Sequence, residues 1–238
     1  MLNNILFILS LFNPSFKLKS DKTVYLKGNG PPVIFSTGLF GVMPNFIYSD
    51  IQNKLSQNYT LILNKDYKPF VLNDISDIKN ELSVDYLSLF SHSSINSNIL
   101  ESKIFNKIVS CDPIVLPKIN SNGLSKRNVN INSDILIIKA EKLYNSDKVL
   151  PNFQNPIFNN DKIYSEIIYK DVGHPDILND YWADLAIYTN FWRGLENKKE
   201  IKKYKEWKYT KYIENNKKIQ KLRKEYKNYI VKEVNNFL

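Results

Sequence analysis

The chain has 238 residues, 43% of them hydrophobic, enough for a domain with a sizeable core. One cysteine, Cys111, excludes an intrachain disulfide framework, and with only two histidines, His92 and His174, a Cys/His zinc site cannot be assembled. Of the net charge of +9, residues 195–238 supply +8 through 14 Lys+Arg against 6 Asp+Glu, so a near-neutral body with a basic tail argues against a general nucleic-acid binder.

At the N-terminus, Leu2 to Phe12 holds the apolar run Ile5 to Leu9, too short to span a bilayer. No lysine precedes Lys17 and no small-residue cleavage site is present, so a buried first element and an intracellular compartment are expected rather than a secretory signal. Phe16 to Lys19 and Thr23 to Leu26 flank Ser20-Asp21 as an antiparallel hairpin. After the turn Gly28 to Pro32, the β-branched run Val33 to Ser36 reads as a central strand. Apolar residues at 47, 51 and 55 make Pro44 to Leu55 helical, and Tyr59 to Leu63 is the next strand.

Asn73 to Leu82 is helical, and Tyr86 to Phe90 is a strand that runs into Ser91-His92-Ser93-Ser94. A short helix follows, marked by Ile95, Ile99, Leu100 and Ile104. Lys107 to Cys111 is a strand that ends at Asp112-Pro113. Ile114 to Ser133 is polar and reads as one long loop of the kind that carries function or forms a lid. Asp134 to Lys139 and Ile167 to Lys170 are strands, the second ending at Gly173-His174, and Ile177 to Trp192 is helical.

Strands alternating with helices give an α/β fold with a mostly parallel sheet between two helical layers. In such sheets, sites form at the carboxyl ends of the strands. Ser93, Asp112 and His174 each follow a strand, so all three fall on one sheet edge, in the order Ser, Asp, His.

The segments PPVIFSTGLFG, YLSLFSHSS, IVSCDP and YKDVGHPDILND together resemble the chlorophyllase-like branch of the α/β-hydrolase fold. The resemblance covers roughly residues 30–190, about one domain, and Gly173-His174-Pro175-Asp176-Ile177-Leu178-Asn179-Asp180 is its most specific part. It implies Ser93 as nucleophile, Asp112 as acid and His174 as base, and hydrolysis by such a triad needs no cofactor and no metal. Three departures stand out: Ser91, itself small and tolerable, and Ile95 replace the two glycines that flank the nucleophile, and Thr37-Gly38 replaces the usual His-Gly at the oxyanion loop. A β-branched residue at 95 crowds the turn, which puts activity rather than fold in question.

The residues carry the same assignment on their own chemistry, with alternatives. Ser93 sits where a strand turns sharply into a helix, although a plain turn serine, or Ser94 as nucleophile, fits the same pattern. A serine hydroxyl needs a base near neutral pKa. His92 is next to Ser93 on a strand and points to the other face, which leaves His174. Asp112 would orient His174; an Asx turn before Pro113 competes with that role, and Glu141, after the strand DILIIK, is the alternative acid. The oxyanion donors would be the amides of Ser94 and Leu39, with Phe40 in reserve. Asp176, Asp180 and Asp184 recur at four-residue spacing, which reads as helix-dipole compensation rather than a cation site.

Residues 1–194 are therefore read as an α/β-hydrolase domain and 195–238 as a basic helical extension. In the extension, Ile219, Leu222, Tyr226, Tyr229 with Ile230, Glu233 with Val234, and Phe237 form a stripe at helical spacing. That stripe would pack on the body or on a protein partner, or lie on an acidic membrane surface, with nucleic acid the weakest reading. The expected activity is hydrolysis of a small apolar carboxylic ester or lipid. The competing expectation is a catalytically degenerate relic of the fold that binds through its tail.

Overall fold

A computed structural model describes residues 14–66, 68–94, 97–114, 118–120, 123–125, 128–142, 157–159, 163–186 and 198–238. The N-terminal apolar run and Ile95 lie outside them. Eight strands form the central sheet: β1 (Ser15–Lys17), β2 (Thr23–Lys27), β3 (Pro32–Ser36), β4 (Thr60–Asn64), β5 (Leu87–Ser94), β6 (Phe105–Ile114), β10 (Asp134–Lys142) and β12 (Ile163–Gly173). Their spatial order is β1-β2-β4-β3-β5-β6-β10-β12. The first two pairings are antiparallel, and all those from β4 to β12 are parallel. The chain adopts an α/β fold in which a mostly parallel sheet lies between helical layers.

The parallel strands are apolar runs, as strands buried on both faces must be. All five residues of β4 are buried, as are Val33, Ile34 and Phe35 in β3. Alternate residues go to opposite faces. Ile34, Leu89, Ile108, Ile135 and Ile137 pack with Ile75 and Ile78 of α3 (Leu72–Glu81) and with Ile99 and Leu100 of α4 (Ser97–Leu100). Phe35, Phe90, Val109, Leu136 and Ile138 pack on the other face, against Ile51 and Leu55 of α2 (Ser49–Leu55).

The opposite-face layer is completed by the C-terminal helix α6 (Lys198–Phe237), a continuous helix of 40 residues. Its final third packs on the sheet through Tyr226, Ile230, Val234 and Phe237. The stripe read from the sequence is incomplete in one respect. Arg223 and Lys227 share the buried side, and Ile219 and Leu222 are only partly covered. A count of apolar residues at helical spacing is blind to charged residues that bury against partners.

Two other expectations need correcting. The stretch 114–133 is not one irregular loop: it contains β7 (Lys118–Asn120), β8 (Gly123–Ser125) and β9 (Asn128–Asn130), with β7 paired to β8 and β9 to β11 (Ile157–Asn159). Three-residue strands are too short to show a period. The segment after β12 is also not helical from Ile177. His174–Ile177 forms a 3-10 turn and the helix α5 spans 180–186. Asp176 accepts the Gly173 N–H at 2.6 Å and Pro175 stands second in the turn, which together end the strand and hold a tight turn.

Strand order decides where a site can form. From β3 the chain crosses to β4 on one side, then returns to β5 on the other side of β3. The carboxyl ends of β3 and β5 thus flank the switch point where α/β sheets open a crevice.

Candidate active site

The nucleophile candidate stands at the end of β5, the strand between β3 and β6. Ser93 has φ +62°, in the left-handed region, and its side chain is almost buried. That conformation costs a non-glycine residue about 1–2 kcal/mol, so the surrounding fold must impose it. The loop after β3 runs against this serine. A β-carbon added to Gly38 would lie 3.5 Å from the Ser93 β-carbon and 2.9 Å from Tyr48 Oη, a close approach that favours glycine there. Leu39 follows Gly38 in the short helix α1 (Gly38–Gly41), and Ser94 is the last residue of β5. The side chains of Leu39 and Ser94 lie outside the described residues, as does Phe40's.

Asp112, near the end of β6, is fully buried and also left-handed, with φ +46°. Its Oδ1 accepts the Ala140 N–H of the neighbouring β10 at 2.6 Å. Its Oδ2 lies 3.3 Å from His174 Nδ1. Neither of these two buried atoms has another polar partner among the described residues. The separation is long for a formed hydrogen bond, as in many unliganded acid–base pairs. The Glu141 side chain lies outside the described residues.

His174 opens the 3-10 turn after β12, its ring part-exposed while the carboxylate behind it is dry. The structure thus gathers Ser93, Asp112 and His174 at one edge of the sheet. No hydrogen bond joins Ser93 Oγ to His174 Nε2 among the described residues.

Two residues that sequence reasoning set aside or missed complete the cluster. His92 does not serve Ser93, yet it is not idle. Its ring stacks on His174 with centroids 4.5 Å apart. Its Nε2 is 3.1 Å from the His174 carbonyl oxygen and its Nδ1 is 2.8 Å from Tyr48 Oη. Burial first, then repulsion from His174, holds the His92 imidazole well below its usual pKa. No sequence signal shows that a turn 82 residues downstream returns to this ring.

Arg223 is the other. It lies 1% exposed beneath the base turn and donates from Nε to Asp176 at 2.7 Å and from Nη2 to Asp184 at 2.7 Å. Its Nη1 approaches Asp180 Oδ1 at 3.6 Å. The three regularly spaced acids therefore converge on one arginine of α6, a correction to their reading as dipole compensation. Lys227 adds bonds to Asp50 at 2.8 Å and to the Leu178 carbonyl at 3.1 Å. Asn179 ties the same turn to α2, accepting the Asp50 N–H and donating to Ser49.

His92, Asp112 and His174 bring donor atoms within 4.8 Å of one another, a grouping the residue count did not suggest. Metal binding there competes with bonds already made. Both His92 nitrogens and Asp112 Oδ1 are engaged, which leaves Asp112 Oδ2 and His174 Nδ1 facing each other. Two donors are too few for a closed site. Cys111 is buried, and burial followed by the Asp112 charge pushes its thiol well above the usual range, so it is inert as a nucleophile.

No family model matches the chain, and no curated protein does. Among solved structures it is similar to an epoxide hydrolase variant from Vigna radiata at 10% identity, covering 76% of this chain and 96% of that one, with a TM-score of 0.48. An epoxide hydrolase of the alpha/beta hydrolases superfamily, from hot-environment metagenomes, is similar at 9% identity over 77% and 98%, TM-score 0.46. An alpha/beta hydrolase from Sphaerobacter thermophilus is similar at 15% identity over 46% and 47%, TM-score 0.33.

Proposed function

We propose that the chain is a serine hydrolase that cleaves a carboxylic ester with an apolar part, as the chlorophyllase-like resemblance implies. One observation carries the reading. The buried Asp112 Oδ2 faces His174 Nδ1 and has no hydrogen-bond partner among the described residues, at the same sheet edge as a serine held at φ +62°. A carboxylate aimed at one imidazole nitrogen fixes the tautomer, leaving a lone pair on the other nitrogen to act as base.

In this reading Ser93 Oγ attacks the ester carbonyl while its proton passes to His174 Nε2. Asp112 stabilises the imidazolium. The amides of Leu39 and Ser94 bind the oxyanion, each worth about 3–4 kcal/mol in the transition state. Collapse breaks the C–O bond, and His174 returns the proton to the departing alkoxide. Water, deprotonated by His174, then attacks the acyl-Ser93, and the acid product leaves as the proton returns to the serine oxygen.

The test is hydrolysis of p-nitrophenyl esters of increasing acyl length by wild type, Ser93→Ala and Asp112→Asn. The reading expects turnover by the wild type, background rates for Ser93→Ala, and a loss of about 10⁴-fold in kcat for Asp112→Asn. Equal turnover by wild type and Ser93→Ala would overturn it. A folded wild type inert on every ester would favour the degenerate relic.

A further inference from the structure

We infer that Tyr48 and His92 are positioning residues, a directed hydrogen-bonded strut that fixes the oxyanion loop relative to the backbone of the base. The catalytic part of this inference rests on the serine-hydrolase reading; the direction of the strut does not.

The direction follows from the donor and acceptor inventory. The His174 carbonyl oxygen can only accept, so the proton of His92 sits on Nε2 and is donated across 3.1 Å. A buried imidazole stacked on a second imidazole stays neutral, so Nδ1 carries a lone pair. Tyr48 Oη, 2.8 Å away, must then donate to it. The same oxygen accepts the Gly38 N–H at 2.9 Å. Every step is filled once: Gly38 N–H to Tyr48 Oη, Tyr48 O–H to His92 Nδ1, His92 Nε2–H to the His174 carbonyl. The opposite tautomer would set the Nε2 lone pair against the lone pairs of a carbonyl.

Three consequences follow. The Gly38 amide is occupied by Tyr48, so the free oxyanion donor of this loop must come later, at Leu39. The main chain of His174 is held from beneath while its Nδ1 faces Asp112 Oδ2 from the side. His92 adds no charge against the imidazolium that forms in the reaction. Its titratable neighbours are Tyr48, which donates to it, Cys111, its register partner on β6, whose buried thiol stays protonated, and His174 and Asp112, whose donor atoms lie within 4.8 Å of its own. Tyr48 is itself locked. It is buried, edge-on to Phe35 and to His92, and burial keeps its phenol protonated.

The variants are Tyr48→Phe, which removes one oxygen, His92→Leu, which removes both polar ends, and His92→Gln, which restores an amide N–H toward the His174 carbonyl. On p-nitrophenyl butyrate, Tyr48→Phe should lower kcat about 10- to 100-fold with KM within about twofold, since both side chains are buried. His92→Leu should lose more and His92→Gln should recover part of the loss. Nitrogen-15 NMR of the imidazoles of the wild-type chain reads the strut without any activity: His92 should show the neutral Nε2–H tautomer from about pH 5 to pH 9. A Nδ1–H tautomer, or titration within that range, overturns the strut whatever the enzyme does. Active wild type with Tyr48→Phe unchanged in kcat overturns its catalytic role. Inactive wild type with the expected tautomer contradicts the hydrolase reading and that role, and leaves the strut standing.

Discussion

The two faces of the sheet are covered by different chemistry. Under α3 and α4 the contact is mainly hydrocarbon, Ile34, Ile62, Leu89 and Ile108 against Ile75, Ile78, Ile99 and Leu100, with one buried ion pair, Asp74 to Lys22, at the first turn of α3. Under α2 and α6 the hydrocarbon is interleaved with buried polar groups, among them Arg223, Lys227, Tyr48, Tyr226 and His92. Apolar burial holds strands together but fixes orientation loosely, because it is not directional. Hydrogen-bonded charges cost desolvation, and in return each donor must meet its acceptor at one geometry. The polar-laced face is the one that holds the His174 turn, from Arg223 below and His92 beside it. The lesson is a division of labour: one face makes the sheet, the other aims the site.

The sharpest way to break this comparison is one substitution on each face. Arg223→Met leaves Asp176 and Asp184 without their cation, and breaking a buried pair costs about 3–5 kcal/mol. Urea unfolding should show that loss, and kcat of the remaining folded enzyme should fall as well, because Asp176 holds the turn that starts at His174. Ile78→Ala on the apolar face should cost about 2–5 kcal/mol by the same measurement. There, kcat per folded molecule should stay at the wild-type value. Equal kcat for both variants would mean that the two faces do not differ in their grip on the site.

The smallest effect sharpens the rule about directional bonds. The Tyr226 hydroxyl is buried with no hydrogen-bond partner among the described residues. Tyr226→Phe removes an unsatisfied donor, so the urea midpoint should stay put or rise by the equivalent of about 1 kcal/mol. A loss beyond about 2 kcal/mol would show that the hydroxyl is paired in solution.

The difference between the faces also explains what the sequence made legible. The β-branched runs at 33–36, 107–111 and 134–139 announced the sheet, because burial of a parallel strand leaves an apolar record. The edge shared by Ser93, Asp112 and His174 followed from strand ends alone. Arg223 stayed hidden because its neighbours are acids 39 to 47 residues away in the chain, and a helical stripe of apolar residues omits it. His92 stayed hidden for a similar reason. Strand parity tells which way a side chain points, but not which loop comes back to meet it. Local pattern reports burial, whereas long-range polar pairing leaves no period.

The central claim is that Ser93 is activated by His174 and Asp112. Fluorophosphonate labelling followed by intact mass and peptide mapping tests it most directly, since the probe reacts with an activated serine whatever the natural ester is. The account predicts a single adduct on Ser93, absent from Ser93→Ala and formed far more slowly on His174→Ala. A folded wild type that takes up no probe, or an adduct that survives in Ser93→Ala, would contradict it.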